Sequence, residues 1–374
     1  MSKLAKKILV AGVSACAWAT VNAADKVPTL GEVLKASGVD VTGYVDVSYT
    51  HLSTDRGSTS YRAYDTERSS FNLHAVDLAV SSLPASGFGG FFQVDFGEDA
   101  DVSASTGTRN DDQVDVQEAY LQYASGNLSI VGGKFATSAG AEVIESPSNT
   151  NFSRSLLFRW AIPFTHTGLR ATVTPNDKFK VFAGVNNGWD VLKESATGAT
   201  VALGNNGGAD GKTAELGFSA TPIKLLTLAA SYHNGPEAGT VERGDRSLLD
   251  VVATFNVTDA LSLVVNVDRG EQDKATAAST KAKWDGTAVY VNFKLSDEWR
   301  LSARTESFND KDGFRTGTVQ KLKETTLTVA NTPSKNVELR GEVRRDTSNQ
   351  AMFTDGGALK KNQSSLALEA IYKF

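Results

Sequence analysis

The chain has 374 residues, a mass of 39.7 kDa, 40% hydrophobic residues and a mean hydropathy of −0.23. Its 38 basic and 43 acidic side chains leave a formal charge of −5, which excludes a polybasic nucleic-acid binder. Beyond the N-terminal region no apolar run approaches the roughly 20 residues of a membrane-spanning helix, which excludes a helical membrane protein.

The N-terminus reads as an export signal. Lys3, Lys6 and Lys7 precede an apolar stretch from Ile8 to Trp18, and Val21-Asn22-Ala23 supplies the small residues read at a cleavage site. Removing residues 1–23 takes three lysines and no acid, so the net charge moves from −5 to −8. It also takes Cys16, the only cysteine, so disulfides do not stabilise the exported chain. Val13-Ser14-Ala15-Cys16 offers a lipoprotein signal as an alternative, but its apolar stretch is short and a good conventional site follows. Residues 24–40 form a short N-terminal segment, periplasmic or tucked into the barrel, in which Leu30–Ala36 has helical character. The remaining domain covers 41–374.

From Val41 to the end, segments of about ten residues alternate apolar and polar side chains, the period-two signature of strands with two different faces. Sixteen are predicted, at 41–52, 70–82, 87–98, 113–124, 126–136, 166–174, 178–187, 211–221, 224–234, 245–257, 260–271, 283–294, 298–309, 321–332, 335–346 and 362–374. Their connectors alternate in length. Short turns fall at Pro84-Ala85-Ser86, Ser125-Gly126, Pro175-Asn176-Asp177, Pro222-Ile223, Thr258-Asp259, Ser296-Asp297 and Pro333-Ser334. Long polar loops fall at 53–69, 99–112, 137–165, 188–210, 235–244, 272–282, 310–320 and 347–361. An all-β, transmembrane antiparallel barrel with short periplasmic turns and long extracellular loops has this asymmetry.

The faces agree. In the fifteenth segment Val337, Leu339, Gly341 and Val343 oppose Glu338, Arg340, Glu342 and Arg344. Phe179, Phe255, Phe293, Trp299, Tyr372 and Phe374 lie on the apolar face beside short turns or the C-terminus, where an interfacial aromatic girdle belongs. The last segment alternates through Leu366, Leu368, Ala370, Tyr372 and Phe374, and the pair Tyr372 and Phe374 reads as a membrane-insertion signal.

These residues resemble the OmpL-like β-barrel porins. The resemblance runs from Gly43-Tyr44-Val45-Asp46 to Ile371-Tyr372-Lys373-Phe374 and is densest at Gly133-Lys134-Phe135, Val143-Ile144-Glu145-Ser146-Pro147, Ser153-Arg154-Ser155-Leu156-Leu157-Phe158 and Ala161-Ile162-Pro163-Phe164. It implies a channel in the outer membrane of a Gram-negative bacterium without naming its solute.

Sixteen strands enclose a lumen wide enough for water unless something fills it. The third long loop, 137–165, is the longest and least polar, carrying Leu156-Leu157-Phe158, Trp160 and Ile162-Pro163-Phe164. Such a segment would be costly in water, so it is expected to fold inward and narrow the pore; the rivals are a cover over the rim and a subunit contact. Charged side chains at the narrow point set ion selectivity. The candidates are Glu142, Glu145, Arg154 and Arg159 on the loop and Arg170, Arg300, Arg304 and Arg340 on lumen faces, joined there by Arg344, Asp95, Glu118, Glu215, Glu306, Glu338 and Glu342. Arg154 and Arg159 are the leading pair, because an inward loop brings them toward the axis. Any wall residue could instead be paired across the sheet.

The second loop gathers Glu98, Asp99, Asp101, Asp111, Asp112 and Asp115 but lacks the ordered spacing of a calcium hand, so a solvated acidic loop is expected and no metal site. The four histidines, His51, His74, His166 and His233, sit in neither a zinc-protease nor a serine-nucleophile motif, and His166 is placed to hydrogen-bond a loop base. The expectation is a passive porin without cofactor, not an enzyme, with a substrate-specific channel or a plugged adhesin or receptor scaffold as alternatives. Expected partners are the lipid bilayer, lipopolysaccharide and the barrel-assembly machinery; the strand number suits a homotrimer, and nucleic acid is not expected.

Overall fold

The computed structural model describes residues 28–55, 61–104, 113–192, 211–238, 243–275 and 280–374. The proposed cleavage site and Asp111 and Asp112 lie outside these residues. The N-terminal unit carries one helix, α1 (Leu30–Ser37). Thr29 starts it with a capping box: its hydroxyl accepts the Glu32 N–H at 3.3 Å, and the Glu32 carboxylate accepts the Thr29 N–H at 2.7 Å.

The second unit is a closed barrel of sixteen antiparallel strands. They are β1 (Asp40–Leu52), β2 (Ser69–Ser82), β3 (Gly87–Phe96), β4 (Val114–Ser125), β5 (Leu128–Ala136), β6 (Thr165–Asn176), β7 (Phe179–Asn186), β8 (Thr213–Ile223), β9 (Leu226–Ala238), β10 (Arg243–Asn256), β11 (Leu261–Gln272), β12 (Ala282–Lys294), β13 (Trp299–Asp310), β14 (Gln320–Ser334), β15 (Val337–Ser348) and β18 (Asn362–Lys373). Each strand pairs with its neighbours in sequence, and β1 pairs with β18 to close the cylinder. The terminal residue extends that seam: Phe374 N–H donates to Gly43 O at 3.0 Å and Gly43 N–H returns a bond to Phe374 O at 3.2 Å. No helix among the described residues is long and apolar enough to cross a membrane.

The barrel is inside out relative to a water-soluble one. Phe71 is 86% exposed, Leu121 71% and Leu368 58%, all on the outer face, while Arg304 and Arg340 on the inner face are 1% and 2% exposed. An apolar outer surface of this kind suits hydrocarbon. Phe179, Phe293, Trp299, Tyr372 and Phe374 are exposed at the short-turn end, and Phe255 is half-buried there.

Three short turns differ from their sequence expectation. Pro175, Pro222 and Pro333 are not turn residues but belong to the final rungs of β6, β8 and β14, and the turns lie one step later. Each proline coincides with a register shift, between Val173 and Asn176, Ala220 and Ile223, and Asn331 and Ser334. Proline has no N–H to give a ladder, so the strand bulges where it falls. On its other side each strand stays bonded: Thr174, Thr221 and Thr332 N–H donate to Asn127, Lys178 and Glu298 O of the preceding turns at 2.8–2.9 Å.

The long loops carry structure that alternation could not reveal. The second holds α2 (Glu98–Ser103), the third α3 (Leu156–Trp160), and the eighth a small hairpin of β16 (Phe353–Asp355) and β17 (Ala358–Lys360). Gly356 and Gly357, at φ 59° and 83°, form its two-residue turn, a conformation that glycine adopts without strain. Phe353 from this hairpin is fully buried and meets Tyr61 of the first loop edge-on, with ring centroids 5.9 Å apart.

Removing Phe374 is expected to lower the yield of folded barrel, because two seam hydrogen bonds and an interfacial ring go together. The heat-modifiable fraction on a gel after refolding into detergent reads this; an unchanged yield would show that the seam closes without its last residue.

Candidate functional site

The inner face of β13–β15 carries two levels of arginine. Cross-strand pairing sets Arg300 opposite Ala330 and Ala330 opposite Arg340, and sets Arg304 opposite Thr326 and Thr326 opposite Arg344. The levels lie four residues apart on each strand, or about 13 Å. Each guanidinium is met by carboxylate: Arg300 and Arg340 share Glu338 at 2.8 and 2.9 Å, Arg340 also reaches Glu369 at 3.1 Å, and Arg304 reaches Glu324 at 2.7 Å. Arg344 pairs with Asp346 at 2.7 Å, and Asp346 in turn holds Arg62 of the first loop at 2.8 Å.

The third loop, residues 137–164, folds against this ladder. It has little regular structure, so its buried backbone groups need partners from the wall. Arg340 donates to Ser146 O, Asn149 O and Asn151 O, Arg304 to Ser153 O at 2.6 Å, and Arg344 to Arg154 O at 2.6 Å. The acids take the N–H groups. Glu342 accepts from Phe152 and Ser153 at 2.8 and 3.1 Å, and Glu306 from Leu156 and Leu157 at 2.5 and 3.1 Å. The Ser155 hydroxyl caps α3 by accepting the Phe158 N–H at 2.9 Å.

Apolar packing completes the attachment. Leu156, Leu157, Phe158, Trp160 and Phe164 are buried with Trp284, Tyr290, Phe308 and Leu322, which project inward from β12–β14, and with Tyr61 of the first loop. Trp284 Nε1 donates to Ala161 O at 3.1 Å, and Trp160 Nε1 to Tyr61 O at 3.0 Å. Arg315 of the seventh loop donates to Trp160 O at 2.6 Å and lies over Trp189 and Trp284. Burial, followed by the nearby charge of Arg246, pushes its guanidinium down to about 9.

The sequence candidates separate into three groups. Glu142, Arg304, Arg340 and Arg300 come together in the attachment, with Glu142 bridging Arg304 at 2.7 Å and the Ser155 N–H at 2.6 Å. Arg154 departs from the expected axial position: its side chain is buried and turns back onto Val143, Ile144 and Phe152 carbonyls, so it braces the loop from within. Arg159 is half-buried with its guanidinium 5.3 Å from the Trp160 ring centre. Arg170 stands apart on β6, forked onto Glu215 at 2.7 and 2.9 Å. The acids of the second loop do not converge: Asp99 contacts His74 at 2.8 Å, Asp115 pairs with Lys134 at 3.1 Å, and Asp101 accepts the Gln113 N–H at 3.0 Å.

Glu145 faces β3 and β4, accepting from Gln93 and Gln117 at 3.3 and 2.5 Å. A cavity of about 430 Å³ remains there between the loop and β1–β4, where Asp77, Glu118 and Glu145 outnumber a single cation, Lys373. The lumen is therefore asymmetric, with compensated arginines under the loop and a cavity with an excess of acids beside it. The matched spacing Arg300-x-x-x-Arg304 and Arg340-x-x-x-Arg344 was a readable sign of two aligned levels. The partners Glu324 and Glu369 carry no such sign, because their role depends on register.

Residues 38–374 match the family described as "Putative beta-barrel porin-2, OmpL-like". No curated protein matches the sequence. Among solved structures, the chain is similar to an anion-selective porin from Comamonas acidovorans at 12% identity and a TM-score of 0.64, over 90% of this chain and 99% of that one. A trimer form of OmpT from Vibrio cholerae aligns at 15% identity and 0.62, over 90% and 99%. The outer membrane channel DcaP of Acinetobacter baumannii aligns at 14% and 0.59, over 90% and 97%. At such identities the likeness is one of fold.

Arg304→Ala is expected to destabilise the protein by about 3–5 kcal/mol, since it strands the buried carboxylates of Glu142 and Glu324. Denaturant unfolding in detergent, followed by tryptophan fluorescence, measures it; a loss below about 1 kcal/mol, the scale of an exposed pair, would mean that the ladder does not hold the loop.

Proposed function

Because the chain belongs to the OmpL-like β-barrel porins of the Gram-negative outer membrane, we propose that it passes small hydrophilic solutes and ions by diffusion beside a fixed third loop. The observation that carries this reading is the attachment of residues 142–157 to the wall by Arg304, Arg340, Arg344, Glu306 and Glu342. A segment held at both its N–H and its carbonyl groups narrows the lumen permanently. What remains open is the passage along β1–β4.

No energy source enters the mechanism. Solute moves down its gradient, and the passage filters by width and by the field of its lining. The arginines of β13–β15 contribute little to that field, because carboxylates compensate them. Asp77, Glu118 and Glu145 line the water-facing side against one cation, Lys373, so the passage favours cations. The Comamonas porin is anion-selective, and the excess of acids in the lining here supports the opposite preference.

Residues 1–23 serve as the export signal in this reading, 24–40 as a short N-terminal segment and 41–374 as the barrel. Tyr372 and Phe374 present the end of β18 to the barrel-assembly machinery. The exposed apolar band meets lipid, with lipopolysaccharide at the outer leaflet, and the trimer seen for OmpT is the expected assembly.

Single-channel recording in a planar bilayer under a salt gradient tests the proposal. Discrete ohmic steps with a cation-sided reversal potential are expected; silence from folded protein would favour a plugged scaffold that displays its loops. Deleting residues 148–160 should raise the unit conductance, and an unchanged value in a folded barrel would remove the constriction role. Glu145→Gln should leave conductance near wild type while moving the reversal potential toward zero; no movement would place selectivity elsewhere.

A further inference from the structure

On the wall opposite the attachment, strand pairing sets Arg170, Gly184, Glu215 and His233 in one row across β6, β7, β8 and β9. Gly184 is what lets this row act together. A Cβ there would lie 2.4 Å from Glu215 Oε1, so only glycine lets Arg170 reach across β7 to Glu215. His166, from the start of β6, stacks on the His233 ring with centroids 5.1 Å apart. Ligand atoms of His166, Glu215 and His233 all lie within 4.8 Å of one another, and all three residues are buried.

The hydrogen bonds around this group leave its lone pairs pointing inward. His166 Nδ1 lies 3.0 Å from Gly188 O, which can only accept, so Nδ1 carries the proton and Nε2 is basic. Nε2 meets only the Thr137 hydroxyl, at 3.2 Å. Glu215 is oriented by the Arg170 fork. His233 is fully buried, and neither of its ring nitrogens has a hydrogen-bond partner among the described residues; Glu215 Oε2 is 3.9 Å from Nδ1. A buried imidazole with both nitrogens unsatisfied is costly unless something binds it.

We propose that His166, His233 and Glu215 form a binding site for a divalent transition-metal ion on the lumen wall. Two imidazoles and one carboxylate are a zinc-type donor set that leaves a fourth position for water. The carbonyl behind His166 Nδ1 and the guanidinium behind Glu215 are outer partners that fix ligand orientation. Tetrahedral bonds of about 2.0 Å place donors about 3.3 Å apart, so binding draws these donor atoms together by up to about 1.5 Å. Magnesium and calcium do not suit the site, since they require six or more oxygens. Arg170 already neutralises Glu215, which leaves selection to the imidazoles. The ion displaces Thr137, the first residue of the third loop, from Nε2.

Isothermal titration of the chelator-treated, folded full chain with zinc chloride tests this, with magnesium chloride as control. One zinc per chain and no magnesium uptake are expected. His233→Asn and Glu215→Gln should each weaken zinc by about tenfold or more, whereas His51→Asn, outside the cluster, should not. Absence of saturable zinc binding by the wild type, or full affinity in His233→Asn, overturns the proposal. Should the variants fail to fold, X-ray absorption of the zinc-loaded wild type decides: two imidazole nitrogens in the first shell support the site, and a shell of oxygens alone refutes it.

Discussion

A backbone that crosses hydrocarbon must hydrogen-bond to itself, because lipid offers neither donor nor acceptor. Closure of β1 onto β18 follows from that constraint, and so does the seam contributed by the last residue, where Phe374 and Gly43 exchange both of their bonds. The same demand explains the three Thr-Pro steps. A proline cannot donate to a ladder, so each lies at a bulge near the short-turn end, while the threonine before it keeps the strand bonded to the turn on its other side.

Closure with sixteen strands creates a second requirement, because a cylinder of that width has an interior that side chains from the wall alone do not fill. Here the third loop supplies the filling, and its own irregular backbone then needs partners. The arginine levels on β13–β15 are the answer: each guanidinium serves a wall carboxylate on one side and loop carbonyls on the other. Buried charges of both signs are tolerated in this attachment because Arg304, Arg340 and Arg344 are each hydrogen-bonded to a carboxylate. The result is an attachment on β13–β15 and a cavity with an excess of acids beside β1–β4, so asymmetry of the lumen is a product of how the loop is fastened.

Much of this was legible in residue order. Leu339 and Val343 alternating with Arg340 and Arg344 announced a strand with an apolar outside, and the alternation of short and long connectors fixed the hairpin polarity, except that the long loop expected at 235–244 shrinks to 239–242 because β9 and β10 pair through the rest of it. The low polarity of 156–164 marked that loop as one that must leave water. Arg154 was not legible. Its charge suggested the pore axis, yet it is buried against carbonyls of its own loop, a position set by the fold of residues 143–154 and by nothing periodic. The β16–β17 hairpin was missed for a similar reason: three-residue strands are too short for alternation to register, although Gly356-Gly357 marks the turn.

Local periodicity and turn chemistry depend on neighbours along the chain, so the sequence by itself determined the strands, their facing and which end of the barrel carries the long loops. Which side chains meet across the lumen depends on register and stagger accumulated around the whole cylinder. That is why only the tertiary structure decided that Arg304 meets Glu142, 162 residues away, and that Gly184 opens a path from Arg170 to Glu215.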